Sequence, residues 1–174
     1  GDADADLLKP LDRSAIALKL FTSGTTGDAK SITKKIHHLE DELLELDRAW
    51  NEKLQGTTIF ATSSHQHLYG LMIALLWPLC SGWPFERRHY LHIGELVPRM
   101  CESTNCVLVS VPTQLKRFIR HSQASRLKGT CRVIFSSGGP LSADTAHGVA
   151  TLLGHAPIEI FGSTETGVIG YRVR

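Results

Sequence analysis

Leu20-Phe21-Thr22-Ser23-Gly24-Thr25-Thr26-Gly27-Asp28-Ala29-Lys30 sets four hydroxyl side chains and two glycines between an apolar run and a lysine. Glycines let the backbone curl until several N–H groups converge on an anion, the hydroxyls add donors, and the lysine adds a full charge. The apolar Ile16–Phe21 before it reads as a strand, and Ser31–Leu54 after it reads as a helix. In that second segment Ile32, Ile36, Leu39, Leu43, Leu46, Trp50 and Leu54 recur at three- and four-residue steps, ending at Gln55-Gly56. The loop is therefore expected where a strand feeds a helix N-terminus, a natural phosphate site. Glu40, Asp41, Glu42, Glu45 and Asp47 fall on the other faces of that helix and read as its solvated side.

Three readings fit the loop by itself: a polar surface turn, a Walker-type phosphate loop, and a looser phosphate clamp. Gly24 to Lys30-Ser31 matches the Walker pattern except at Ala29, where a second glycine should stand. A Cβ at that point opposes close backbone approach to phosphate.

The rest of the chain has the same layout. Thr57–Ala61, Asn105–Val111 and Thr130–Ser136 are short apolar strand candidates. Leu71–Leu79, Ile93–Cys101, Pro112–His121 and Ser142–Leu153 are helix candidates, the last one capped by Gly154. Gly82–His92 reads as a strand or an irregular crossing. Apolar strands alternating with helices predict an α/β fold, a mostly parallel sheet with helices on its faces, and ligands at the C-terminal ends of the strands. Two more glycine-rich stretches fall at such ends, Phe135-Ser136-Ser137-Gly138-Gly139-Pro140-Leu141 and Ile160-Phe161-Gly162-Ser163-Thr164-Glu165-Thr166-Gly167. Small residues at 136–139 let a flat ring lie against the backbone, and Phe161 offers a stacking face. Thr164 can donate to a phosphate, and Glu165 can supply a hard oxygen to magnesium.

Composition narrows the class. The 174 residues make about one domain, 42% hydrophobic and 21% charged, with a net charge of only +2. Neither nucleic acid nor a membrane surface is indicated. The longest apolar run, Leu71–Cys80, is half the roughly 20 residues of a membrane span. Cys80, Cys101, Cys106 and Cys131 lack metal-ligand spacing and read as reduced thiols of a cytoplasmic protein. His65-x-His67 reads as two loop histidines rather than a metal site. Lys116, Arg117, Arg120, Arg126, Lys128 and Arg132 form a local basic patch, read as a solvated face or as the seat of an anionic partner.

Read as Thr-Ser-Gly-Thr-Thr-Gly-x-x-Lys, the loop resembles the phosphate loop of the adenylate-forming enzymes: acyl- and aryl-CoA ligases, luciferases and peptide-synthetase adenylation domains. Ala29 stands where that family usually has proline. His67-Leu68-Tyr69-Gly70-Leu71 is similar to the family's histidine-x-aromatic-glycine element beside the carboxylic acid. Ser137-Gly138-Gly139-Pro140-Leu141 is similar to its adenine-side turn, one residue shorter. Phe161-Gly162-Ser163-Thr164-Glu165 is similar to its aromatic-glycine-x-threonine-glutamate signature, with Phe for the commoner Tyr.

The resemblance implies ATP and Mg2+ as cofactors, a carboxylic acid as substrate, and CoA or an acyl carrier protein as acceptor. Thr22, Ser23, Gly24, Thr25, Thr26, Gly27 and Lys30 would take the phosphates. Ser137, Gly138, Gly139, Phe161, Gly162, Ser163 and Thr164 would take the rest of the nucleotide. His67, Tyr69 and Gly70 would line the acid side, Lys30, Thr164 and Glu165 would act in catalysis, and Glu165 would hold the metal. It also implies parts that cannot be fitted to this chain: a ribose-binding aspartate, a hinge, a small lysine-bearing domain after Arg174 and a subdomain before Gly1. Residues 15–174 are thus expected to be the nucleotide-binding segment of a larger domain, residues 1–14 a linker or chain end, and the segment by itself inactive. The readings from other classes are a non-catalytic nucleotide-binding module and a Walker-type NTPase.

Overall fold

The computed structural model describes residues 10–23 and 29–174, with the side chains of 22, 23 and 29 outside the description. Its centre is a six-stranded sheet in the order β4-β3-β5-β6-β7-β8. The strands are β3 (Thr58–Ala61), β4 (Phe85–His89), β5 (Cys106–Ser110), β6 (Cys131–Ser136), β7 (Ile158–Ser163) and β8 (Gly167–Val173). All neighbours pair in parallel except β7 and β8, which form an antiparallel hairpin. The mostly parallel α/β sheet expected from the alternation is present.

Side chains alternate across this sheet, which explains its two cores. Ile59, Val107, Val109, Val133 and Phe135 face α1 (Ile36–Leu54) and the β3–β4 connection, where Leu46, Trp50, Leu54, Met72 and Trp77 are buried. Phe60, Cys106, Leu108 and Ile134 face α4 (Ile93–Met100), α5 (Pro112–Phe118) and α6 (Ala143–Leu153), burying Leu96, Val97, Leu115, Phe118, Val149 and Leu153. Trp50 meets Phe135 at 5.1 Å and Tyr171 at 4.8 Å between ring centroids, both edge to face. Such pairs add stability beyond the buried area alone.

The stretch after the phosphate loop departs from expectation. Ala29–Lys35 is not helical; it is a strand, β2, pairing antiparallel with β1 (Ile16–Ser23) from Ser23↔Ala29 to Ile16↔Lys35. The helix begins only at Ile36. Residues 24–28 therefore join two antiparallel strands, so the helix-N-terminus argument for their anion affinity does not hold. The physical reason lies in the period. Ile32 and Ile36 are four apart, a spacing that also puts residues on one face of a strand, and Ile32 sits opposite Leu20.

Three other departures are smaller. The helix expected at Leu71–Leu79 starts earlier and ends later, as α2 (Leu68–Leu71), a π-helical turn (Met72–Leu76) and α3 (Trp77–Ser81). Gly82, at φ 69°, caps it in a left-handed conformation. The Gly82–His92 segment, read as a strand or an irregular crossing, does contain a strand, β4 at the sheet edge, whereas no strand was expected at β8. Residues 12–15 are tied to the body of the fold: the Ala15 and Arg13 carbonyls accept from the Ile36 and His37 amides, and Arg13 pairs with Glu40 at 2.7 Å.

Candidate functional site

The β3–β4 connection leaves β3 toward one side of the sheet and the β5–β6 connection leaves β5 toward the other. A crevice opens at such a switch point, beyond the carboxyl ends of the strands. Here it is a cavity of about 350 Å³ lined by Ser63, His67, Leu68 and Tyr69 after β3, Val111 after β5, Ser137 and Gly138 after β6, and Gly162, Ser163 and Thr164 at the β7–β8 turn, with Glu42 and Val168 closing one wall. Of the expected site residues the structure thus brings together His67, Tyr69, Ser137, Gly138, Gly162, Ser163 and Thr164.

The turns are shaped by specific contacts. Gly138 has φ 81°, a left-handed conformation that favours glycine. Ser137 donates from its hydroxyl to the Ile160 carbonyl at 3.0 Å, joining the β6 turn to β7. A Cβ on Gly162 would collide with the Gly167 carbonyl, so only glycine lets the β7–β8 turn close. Within it the Ser163 amide donates to the Thr166 hydroxyl and the Thr166 amide to the Ser163 hydroxyl, each at 3.2 Å. That reciprocal pair presents Thr164 and Glu165 at the tip. Gly70 does not line the cavity; a Cβ there would strike the Ser64 carbonyl, so it lets α2 pack against the loop that carries His67. Gly139 is not on the wall either.

Tyr69 contributes a phenol whose buried oxygen has no hydrogen bond of ordinary geometry among the described residues; burial pushes its ionisation far up against a smaller opposing pull from the Ser110 backbone, so it is a neutral group. His65, one turn earlier, also has a buried unpartnered Nε2; burial and the neighbouring His89 lower its pKa. Phe161 is 41% exposed and off the cavity wall, and the Arg172 guanidinium sits 4.9 Å over its ring.

Lys30 and Glu165 are not on the wall of this cavity; Glu165 follows the wall residue Thr164 in the β7–β8 turn. Their charged ends are 4.0 Å apart and both side chains are largely exposed. The Glu165 carboxyl is held below its ordinary range by its own backbone and by Ser163, with Lys30 and Lys34 adding attraction, so it is ionised at neutral pH. No cluster of three or more potential metal-ligating side chains occurs among the described residues. One ionised, accessible carboxylate is what a magnesium ion shared with substrate phosphates needs from a protein. Glu165 fits that role. Thr22 and Ser23 fall at the end of β1, their side chains outside the description, and Gly24, Thr25, Thr26 and Gly27 lie outside the described residues.

Three residues carry roles the sequence reading missed. Glu42, assigned there to a solvated face, is half-buried and accepts from the Val168 amide at 3.2 Å; burial raises its pKa. Asp47, assigned to the same face, accepts from Asn51 and from the Trp77 indole at 2.8 and 3.3 Å. Glu159 is 1% exposed and binds the Leu141 amide at 2.8 Å, Arg172 at 2.6 Å and Arg174 at 2.8 Å. It anchors the 137–141 turn from below. Apart from the four-residue helical step between Asp47 and Asn51, these contacts could not be read from local pattern, since each partner lies elsewhere in the chain.

The remaining cationic and thiol features stay apart from the cavity. Lys116, Arg117, Arg120, Arg126, Lys128 and Arg132 are exposed and none lines it. All four cysteines are unpaired; Cys106 and Cys131 are buried and Cys80 is exposed. No helix among the described residues is long and apolar enough to cross a membrane.

A mostly parallel sheet with the turns after β3, β6 and β7 gathered around one crevice belongs to the class of α/β folds that take their ligands beyond the carboxyl ends of the strands. The chain belongs to the AMP-binding enzyme family, whose model matches residues 2–173. It is 26% identical over 168 residues to a malonate–CoA ligase of Arabidopsis thaliana, covering 86% of this chain and 28% of that protein. ATP-bound MatB from Rhodopseudomonas palustris superposes with a TM-score of 0.79 at 26% identity, covering 92% of this chain and 32% of that one. A malonyl-CoA ligase in a product complex with methylmalonyl-CoA and AMP shares the fold, with a TM-score of 0.82 at 24% identity, over 92% of this chain and 35% of that one. The chain therefore spans about a third of the length of these relatives.

Proposed function

We propose that this chain is the nucleotide-binding part of an acid–thiol ligase that uses ATP to activate a carboxylic acid as an acyl-adenylate, releasing pyrophosphate, before transfer to the thiol of CoA or a carrier protein. The observation that carries this reading is the single cavity into which the turns after β3, β6 and β7 converge, with His67 and Tyr69 on one side and Gly138, Gly162 and Thr164 on the other. The first set takes the acid and the second the nucleotide, so the carboxylate meets the α-phosphate between them. Catalysis is then positioning and charge stabilisation. Lys30 draws the β- and γ-phosphates, and the Thr164 hydroxyl donates at the α-phosphate. Glu165 would hold a magnesium ion, which would supply Lewis-acid neutralisation of the phosphate charge when bound. The substrate carboxylate is itself the attacking group, so no protein nucleophile is needed.

The resemblance to malonate ligases supports screening malonate and other short dicarboxylic acids first. The test is acid-dependent exchange of labelled pyrophosphate into ATP by the full-length enzyme, with Glu165→Gln beside it. We expect Glu165→Gln to be slower by about a hundredfold, the scale of one lost preorganised electrostatic partner, and partly rescued by excess magnesium. An unchanged rate with native metal dependence removes Glu165 from the site.

A further inference from the structure

Lys34 is a lysine with only 5% of its surface exposed, an arrangement that is costly unless the ammonium is well partnered. Its Nζ donates to the Glu165 carbonyl at 2.9 Å, a contact spanning 131 residues of sequence. Glu42 reaches the same turn from α1, accepting from the Val168 amide at 3.2 Å across 126 residues. A Cβ on Gly167, whose φ is 76°, would overlap the Glu42 carboxylate. The β7–β8 turn is thus gripped at residue 165 from one side and at residue 168 from the other. Lys34 and Lys30 lie four residues apart on β2 and so share a strand face: one meets the Glu165 backbone, and the other lies 4.0 Å from its carboxylate.

We propose that Lys34 and Glu42 are positioning residues for the adenylation site: Lys34 locks the Thr164–Glu165 turn to the β1–β2 hairpin that carries Lys30, and Glu42 locks it to α1, so that the Glu165 carboxylate is held where the metal–nucleotide complex needs it. This rests on the adenylation reading above. A purely structural pair would stabilise the fold without distinguishing metal-dependent from metal-independent binding. A positioning pair acts through Glu165 and must make that distinction.

The experiment is calorimetric titration of the full-length enzyme with α,β-methylene-ATP, once in magnesium and once in EDTA. For Lys34→Met, binding in EDTA should stay within about twofold of wild type, while binding in magnesium should weaken by about tenfold, the effect of displacing one group by a fraction of an ångström to an ångström. Lys34→Arg, which keeps a cationic donor, should recover most of the loss. Glu42→Ala should behave like Lys34→Met, and Glu42→Gln, which keeps an oxygen for the Val168 amide, should lose less. Equal weakening in magnesium and EDTA, or no weakening in either, overturns the proposal. If Lys34→Met does not fold, the Glu42→Ala and Glu42→Gln pair decides: identical magnesium binding by the two overturns it. Acid-dependent pyrophosphate exchange by the wild type is measured in parallel. Its absence defeats the adenylation reading itself and the clamp with it, whereas its presence with an unaltered magnesium dependence in the variants defeats the clamp alone.

Discussion

Replacing Glu159 by glutamine should destabilise the chain at neutral pH and do so progressively less in acid. Although burial by itself would raise its pKa, hydrogen bonds from Arg172, the Leu141 amide and Arg174 pull the carboxyl from 4.5 to about 2. At about 1.4 kcal/mol per unit, that shift makes the ionised group contribute about 3 kcal/mol at pH 7. Arg172 and Arg174 are 45% and 27% exposed, so water screens part of the attraction. The same exposure lets the freed guanidiniums return to solvent, and about 2 kcal/mol is the better expectation. Because the folded-state pKa is the lower one, the contribution is complete above 4.5 and is lost as the pH falls through about 2. At pH 3 roughly 1 kcal/mol should remain. Urea unfolding of wild type and Glu159→Gln at pH 7 and pH 3 reads this directly. A difference of the same size at both pH values would refute the argument, since it would mean that shape rather than charge holds Glu159 in place.

Gly162→Ala should cut nucleotide binding by tenfold or more in a direct titration, because the added methyl meets the Gly167 carbonyl and forces open the turn that carries Thr164. His67→Ala should raise the KM for the acid in pyrophosphate exchange while leaving the affinity for an ATP analogue within about twofold. Equal loss of both would move His67 to the nucleotide side.

The elements legible in the sequence were those whose signals are local. The apolar runs at β3, β5 and β6 and the helix start at Ser142, whose hydroxyl accepts from the Thr145 amide at 3.3 Å, were readable because burial and capping leave a mark within a few residues. The left-handed Gly154 at the end of α6 is a signal of the same kind. What was not legible depends on partners far along the chain. Within Lys30–Lys35 the only apolar residue is Ile32, whose four-residue step to Ile36 serves a helix or a strand equally, and only pairing with β1 decides between them. Lys34 and Glu42 look like ordinary surface charges until the β7–β8 hairpin folds against them, as does Glu159, on β7 itself, until the Leu141 amide, Arg172 and Arg174 close on it. The motif residues His67, Gly138, Gly162 and Thr164 were readable as a set because glycine and hydroxyl at strand ends have few other uses. Their convergence on one cavity depends on strand order, which no local pattern states.

The most direct test of acyl-adenylate formation is the identity of the nucleotide product. The full-length enzyme, incubated with ATP, magnesium and a panel of carboxylic acids headed by malonate and followed by phosphorus NMR, should convert ATP to AMP and pyrophosphate only when an acceptable acid is present. Release of ADP and phosphate, at a rate indifferent to the acid, would contradict the assignment and return the loop at residues 22–30 to the Walker-type reading.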